Sequence, residues 1–352
     1  HPEKSGVFLH LNTNKLGITL NVKTASGQKI LRELVRDADL VVEGFHPGMM
    51  EHWGLGYQEL EAINPKLVML SISNFGQWGP YRDYQLSELV LYALGGTLHH
   101  TGLAEREPVK MALTVIQFQM GQVAAIAAMA GVLVARGQGI GQQIDFSMFE
   151  AQAGTIDRGA INILTSAFND RQPSILRSGP MIFRTIQPNG IYPCEDGYVQ
   201  IQSGRPDWFL RFLKTVGHEE LLQDPRYQPF PDSIYRMELK EEVDAIALEW
   251  CLQHTKWECQ ELAQANEWPV TAVSTMEDLF ADPHFRGRNF FVEVDHPVAG
   301  KLEYPGAPAL PAETPWRAGR APLLGEHNRE VYCDRLGYSL QDLAHLRAQG
   351  VI

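Results

Sequence analysis

The chain has 352 residues, long enough for a full hydrophobic core and, since single cores stop growing at roughly 250–300 residues, for two domains. Its 44% apolar and 20% charged residues are those of an ordinary globular protein and exclude a disordered or low-complexity chain. With 30 lysines and arginines against 42 acidic residues the formal charge is −12, which argues against nucleic acid and anionic membrane as partners of the whole protein and leaves room for a local basic pocket.

In chain order, "HPEKSGVFLHLNTNK" lacks the basic and apolar regions of a signal peptide, so no targeting is expected. "GITLNV" (17–22) reads as a strand, "GQKILRELVRDA" (27–38) as an amphipathic helix and "DLVVEGF" (39–45) as a buried strand, together one βαβ unit. "GYQELEAINP" (56–65) predicts a short helix ended by proline, and "KLVMLSISNFG" (66–76) a strand entering a glycine turn. Alternating strands and helices imply a mostly parallel sheet covered on both faces.

The stretch 86–135 reads as mostly helical, and "GQQIDFSMFEAQAG" (141–154) as a strand running into a helix. Its most apolar run, "VAAIAAMAGVLVA" (123–135), falls short of the ~20 residues that span a bilayer, so a soluble chain is expected. "GIYPCEDGYVQIQ" (190–202) carries a hairpin signal, and 206–217, 239–254 and 255–268 are helical by spacing. Strands and turns return from Pro269, and "PLLGEHNREVYCDRLG" and "SLQDLAHLRAQGV" close the chain as two helices. The fold class is therefore α/β, a larger domain interrupted by a smaller α+β domain. The expected division is 1–188 for the large domain, 189–305 for the small one and 306–352 returning to the large one.

Four cysteines without CxxC spacing are too sparse to staple a chain of this size and read as reduced thiols in a cytoplasm. "RGQGIGQQ" (136–143) has the look of a phosphate cradle, but a strand follows it rather than precedes it, which favours a helix C-cap and turn. The adjacent His99 and His100 lack companion ligands, so no metal site is expected. Glu88 opens a predicted helix, where capping is the default role of a carboxylate. Asp145 and Glu150 are either surface or pocket carboxylates. Three glutamines, Gln117, Gln119 and Gln122, stand at the mouth of the alanine-rich run, as a solvated helix entrance or a lined pocket.

Several stretches, "LNTNKLGITLNVKTASGQKILRELVRDADLVVEGFHPG", "GLGYQELEAINPKLVMLSISNFGQWGP", "GQGIGQQIDFSMFEA", "YPCEDGYVQIQ" and "APLLGEHNREV…LGYSLQDLAHLRAQGVI", follow one another in an order and spacing that resembles the class III CoA-transferase (CaiB/BaiF) family, from about Leu11 to Ile352. The resemblance implies a Rossmann-like large domain, a smaller domain and an interlocked dimer. It implies acyl-CoA and a carboxylic acid as substrates and partners, with coenzyme A as substrate rather than resident cofactor. In such transferases an aspartate attacks the thioester to form a mixed anhydride, whereas racemase relatives move protons with a His and an Asp. The family's opening strand, turn and helix has no counterpart before His1 and is expected to lie outside this sequence.

Transferred residue by residue, the family pattern implies that the catalytic aspartate, nineteen positions before Arg136, is Gln117 here. The racemase histidine falls on Ser87. In the "E-N-F-R-P-G" turn, Gly44 replaces the asparagine beside the CoA adenine, Phe45 is kept and His46 replaces the arginine. A further basic position is His52, and a lysine position is Gln85. An amide at 117 lacks the carboxylate's nucleophilicity but keeps its hydrogen-bonding reach. The expectation is a subunit, in a homo- or heterodimer, that supports an aspartate-bearing partner of the same family. The alternatives are a relocated carboxylate, Glu88 or Glu150, or a non-catalytic acyl-CoA-binding protein.

Overall fold

A computed structural model describes residues 2–102, 105–155, 168, 186–202 and 205–352. The chain divides into two compact units: His1–Thr97, Met111–Asp170 and Pro283–Ile352 in the first, Leu98–Lys110 and Arg171–Asp282 in the second.

The first unit is built on a parallel sheet, β1 (Leu40–Glu43), β2 (Val68–Ser73) and β3 (Gln142–Ser147), in the order β1-β2-β3. Helix α1 (Ala25–Val35) leads into β1; Thr24 caps it by accepting the Gly27 N–H. On one side of the sheet Leu67 and Met69 pack with Val35, Leu55 and Leu60, and on the other Val68 packs with Val132 and Ala135 of α3 (Val115–Gln138). Both faces are covered, as a run such as VMLSIS requires. Helix α2 (Glu88–Leu94) precedes α3, and α4 (Met148–Thr155) follows β3 directly. Gly131 allows the close approach of α3, since a Cβ there would sit 3.0 Å from both Val68 and Ile144.

The second unit carries the antiparallel sheet β4 (Asn189–Cys194), β5 (Gly197–Gln202) and β6 (Val270–Ala272), with β4 at one edge. Helices α5 (Pro206–Val216), α6 (Lys240–Leu252) and α7 (Lys256–Ala265) bury Phe209, Phe212, Val243, Trp250 and Trp268 in one core with Val199 and Ile201. The hairpin of β7 (Phe291–His296) and β8 (Gly300–Pro305) and the terminal helix α8 (Leu340–Ala348) fall in the first unit.

Four expectations change. "GITLNV" forms no strand: the N–H groups of Gly17, Thr19 and Asn21 are taken by the His327 ring, the Asn328 side chain and the Val351 carbonyl, which replace a ladder. The apolar helix is longer than its apolar run, because the glutamine-bearing entrance is helical too; α3 has 24 residues, enough in length and composition to cross a bilayer, although its inner face packs on the sheet. The stretch after Thr275 holds two short helices, Met276–Ala281 and Pro283–Gly287, the first closed by a Thr275/Asp278 capping box. The penultimate helix is shorter than expected, helical over 328–335, with Glu330–Arg335 wound as a π-helix.

Candidate active site

In an open parallel sheet, ligands bind outside the carboxyl ends of the strands, where loops leave side by side. Here β1 runs into Gly44-Phe45-His46, β2 into the loop 74–86 and β3 into α4. The loops are joined at their roots. The Phe149 N–H donates to the Asn74 carbonyl at 3.1 Å, and Phe75 contacts Phe149, Tyr81 and Tyr84 edge-on or tilted. Asp145, on β3, accepts the Gln77 N–H on both carboxylate oxygens at 3.0 Å, so it organises the second loop rather than standing free.

The turn after β1 is held from two sides. The buried Glu43 carboxylate accepts the Phe45 N–H at 2.8 Å, and Arg82 donates to the Pro47 carbonyl at 2.8 Å. His46 faces Asp83 at 3.7 Å, and Phe45 stands edge-on to Trp53 with ring centroids 5.1 Å apart. Gly48 has φ +87°, a backbone conformation that favours glycine, and a Cβ there would lie 2.7 Å from the Arg82 guanidinium, which would have to shift to admit it. Gly44, Phe45, His46, His52 and Gln85 are all solvent-exposed, and Gly44 lies beside the Ile72 carbonyl at the end of β2. Glu43 is the opening glutamate of the E-N-F-R-P-G pattern, whereas Arg82, which holds the turn from the second loop, carries no motif signal of its own.

A second set of residues meets at the entrance of α3. Ser87 caps α2 by accepting the Val90 N–H, which leaves Glu88 as the first helical residue. Glu88 is 9% exposed and turns its carboxylate onto the next helix, where one oxygen accepts the Ile116 N–H at 3.0 Å and the other the Gln117 N–H at 3.3 Å. Thr114, the residue before α3, makes no side-chain cap of its own. Glu88 therefore caps α3 from a different element, placing negative charge where the helix presents unpaired N–H groups. The Gln117 side chain is exposed, as are Gln119 and Gln122, while Ile116, Met120 and Ala124 face inward. Of the two sequence readings of the glutamines, a solvated helix entrance or a lined pocket, the exposed side chains fit the first.

At its other end α3 is closed by Gly139 in the left-handed conformation, the C-cap foreseen for "RGQGIGQQ". Arg136 there grips Asp39 through two hydrogen bonds of 3.2 and 3.0 Å, and that guanidinium holds the Asp39 carboxyl below its ordinary range. Glu150 lies in the first turn of α4; its N–H donates to Ser147 and its carboxylate points to solvent. The structure thus gathers Ser87, Glu88 and Gln117 at one helix junction and Gly44, Phe45 and His46 at one turn.

A parallel sheet with helices packed on both faces defines an α/β fold, and comparison with known proteins narrows it. The sequence profile of CoA-transferase family III matches residues 1–328, and the chain belongs to that family. It is 32% identical over 348 residues to succinyl-CoA–D-citramalate CoA-transferase of Chloroflexus aurantiacus, covering 97% of this chain and 83% of the relative. It is 29% identical to the beta subunit of succinyl-CoA–L-malate CoA-transferase of the same organism, covering 98% and 84%. Among solved structures, a CAIB/BAIF family protein from Brucella suis superposes with a TM-score of 0.81 at 26% identity, covering 94% of this chain and 84% of that one.

Proposed function

We propose that this chain is a class III CoA-transferase subunit that binds an acyl-CoA thioester and a carboxylic acid and supports an aspartate-bearing partner of the same family. The observation that carries the reading is at residue 117. Its side chain is a neutral amide, and its backbone N–H is held by a carboxylate, Glu88, whose two oxygens are both engaged in capping α3. Attack on a thioester carbonyl needs an electron pair that an amide nitrogen has already delocalised into its own carbonyl. Gln117 can donate a hydrogen bond to the carbonyl oxygen of a thioester, and Glu88 fixes where that donor sits. The turn 44–48, fastened by Glu43 and Arg82, is the matching surface for the nucleotide end of CoA, with Phe45 and His46 exposed on it.

A partner chain is supported by the outer face of α3, where Phe118, Ile126, Met129 and Leu133 form an exposed apolar stripe; Ile126 is 71% and Leu133 66% exposed. A relative named as a beta subunit points the same way. The free thiols of Cys194, Cys251, Cys259 and Cys333 suit a reducing cytoplasm. A second reading keeps catalysis within the chain: Glu150 is a solvent-facing carboxylate at the carboxyl end of β3, free of the capping duty that occupies Glu88. The two readings separate on incubation of the chain alone with acyl-CoA and hydroxylamine. The supporting-subunit reading expects no modified carboxylate, and a hydroxamate on Glu150 establishes the second.

A further inference from the structure

Residues between 284 and 316, all within the first unit, line a cleft of about 300 Å³ that has no role in the reading above. One wall follows from how the short helix Pro283–Gly287 ends. The Phe290 N–H donates to the Phe285 carbonyl and the Asn289 N–H to the Arg286 carbonyl, both at 3.0 Å, and Asn289 is left-handed at φ +51°. This two-bond helix stop, which asparagine or glycine permits, turns the next residue back onto the helix. Phe290 accordingly meets Phe285 with ring centroids 5.1 Å apart. The Gly306 N–H donates to the Phe290 carbonyl at 2.8 Å, and a Cβ on Gly306 would lie 2.5 Å from that oxygen and 3.7 Å from the Trp316 ring. Glycine there lets the second wall, which carries Leu310 and Trp316, approach the first.

The charge on these walls has one sign. Arg288 and His284 line the cleft, and no carboxylate does. Arg286, two positions away, is paired with Glu303 at 3.0 Å, whereas the Arg288 guanidinium makes no hydrogen bond or ion pair among the described residues. Nor does the helix end occupy it, since the carbonyls of His284, Phe285 and Arg286 already accept backbone N–H groups. The Asn289 amide beside it is unpaired as well, and both residues are exposed, so an incoming ligand can reach their donors. In a chain of formal charge −12, an unpaired cation on an aromatic cleft is a local reversal of sign that favours an anion.

We infer that this cleft binds a small aryl monocarboxylate, its carboxylate on Arg288 and Asn289 and its ring against Phe290 and Trp316. One permanent positive charge selects one negative charge: a carboxylate matches the guanidinium fork with two hydrogen bonds, whereas a phosphate monoester brings about −1.5 to −2. At the ~30 Å³ that a water molecule takes in the liquid, the space admits about ten non-hydrogen atoms. Aromatic walls favour a flat apolar body packed offset or edge-on, and a pocket of this volume with aromatic lining and few polar groups has the usual form of a small-molecule site.

The test uses the full chain and phenylacetate, with a ligand-observed NMR titration for affinity and hydrogen-exchange mass spectrometry for location. At saturation, exchange slows across 284–291 and 306–317. 2-Phenylethanol, which keeps the ring without the charge, and acetate, which keeps the charge without the ring, each bind about tenfold more weakly or worse, and phenyl phosphate binds no better than phenylacetate. Arg288→Ala weakens phenylacetate about tenfold, as a lost charge-assisted hydrogen bond predicts, and Arg288→Lys, which keeps the charge without the fork, falls between. Arg288 is exposed and unpaired, so both variants keep the thermal melt of the parent chain. Phenylacetate affinity unchanged in Arg288→Ala would overturn the inference, because the acid then sits elsewhere, as at the acceptor position of the transferase reading, which this result would leave standing. Equal binding of 2-phenylethanol, or no binding of phenylacetate, would overturn it too.

Discussion

The Glu88 carboxylate holds the first turn of α3 by accepting the backbone N–H groups of Ile116 at 3.0 Å and Gln117 at 3.3 Å. A residue at the start of one helix thereby caps the next, and the residue so held occupies the position where the family resemblance puts the nucleophile. Removing the acceptor has two effects. Glu88→Ala leaves the buried Ile116 N–H and the part-buried Gln117 N–H without their acceptor and is expected to cost about 1–2 kcal/mol in urea unfolding. Glu88→Gln, which keeps one acceptor, costs less. Hydrogen exchange at 115–118 rises in both variants, and an unchanged rate there would show that the cap does not hold the turn.

The turn after β1 gives a second prediction. Gly48→Ala forces a side chain into a left-handed backbone at φ +87° and against Arg82, and is expected to cost about 1–2 kcal/mol in a thermal melt. Arg82→Ala frees the Pro47 carbonyl without that strain. Both variants weaken acyl-CoA binding in a calorimetric titration if this turn receives the nucleotide; affinity equal to the parent chain places the nucleotide elsewhere.

Much of this scaffold is legible in the sequence. Helix α1, strands β1 to β3 and the β4–β5 hairpin announce themselves by periodicity and turn residues, and the alternation of strand and helix predicts the parallel sheet that forms. What escapes is whatever depends on partners distant in sequence. "GITLNV" has the pattern of a strand, but its N–H groups meet residues more than 300 positions away. Glu88 has the sequence signal of a cap for its own helix, yet its carboxylate serves one that starts 27 residues later. Arg82 leaves no pattern, since it acts on a backbone carbonyl, that of Pro47, which only the fold brings near.

Two ion-paired carboxylates contribute most clearly to acid sensitivity. Asp278 is held down to about 2 from 3.8, first by the Lys256 ammonium and then by the N–H and hydroxyl of Thr275. Glu326 is held down to about 2 from 4.5, first by Arg320 and then by the Leu323 N–H. Both folded values lie below the unfolded ones, so the stabilisation is complete above about 4.5 and is lost as pH falls towards 2. Asp278→Asn and Glu326→Gln together flatten thermal stability across that window, whereas a slope equal to that of the parent chain assigns acid sensitivity to other groups.

The outer stripe of α3 tests the partner. Ile126→Lys with Leu133→Lys places two charges on a face that is already solvent-exposed, so the fold of the isolated chain is kept. If a related chain packs there, light scattering shows the assembly falling to single chains. A mass unchanged by the double variant removes this stripe from the interface.

The central claim is that residue 117 decides whether this chain does covalent chemistry. The most direct measurement is acyl trapping by hydroxylamine with acyl-CoA, followed by peptide mass spectrometry, on the parent chain and on Gln117→Asp. The expected result is no adduct on the parent chain and a hydroxamate at position 117 in the variant, with CoA exchange appearing alongside it. An adduct on Glu88 or Glu150 of the parent chain, or CoA transfer by that chain without any partner, would contradict the account.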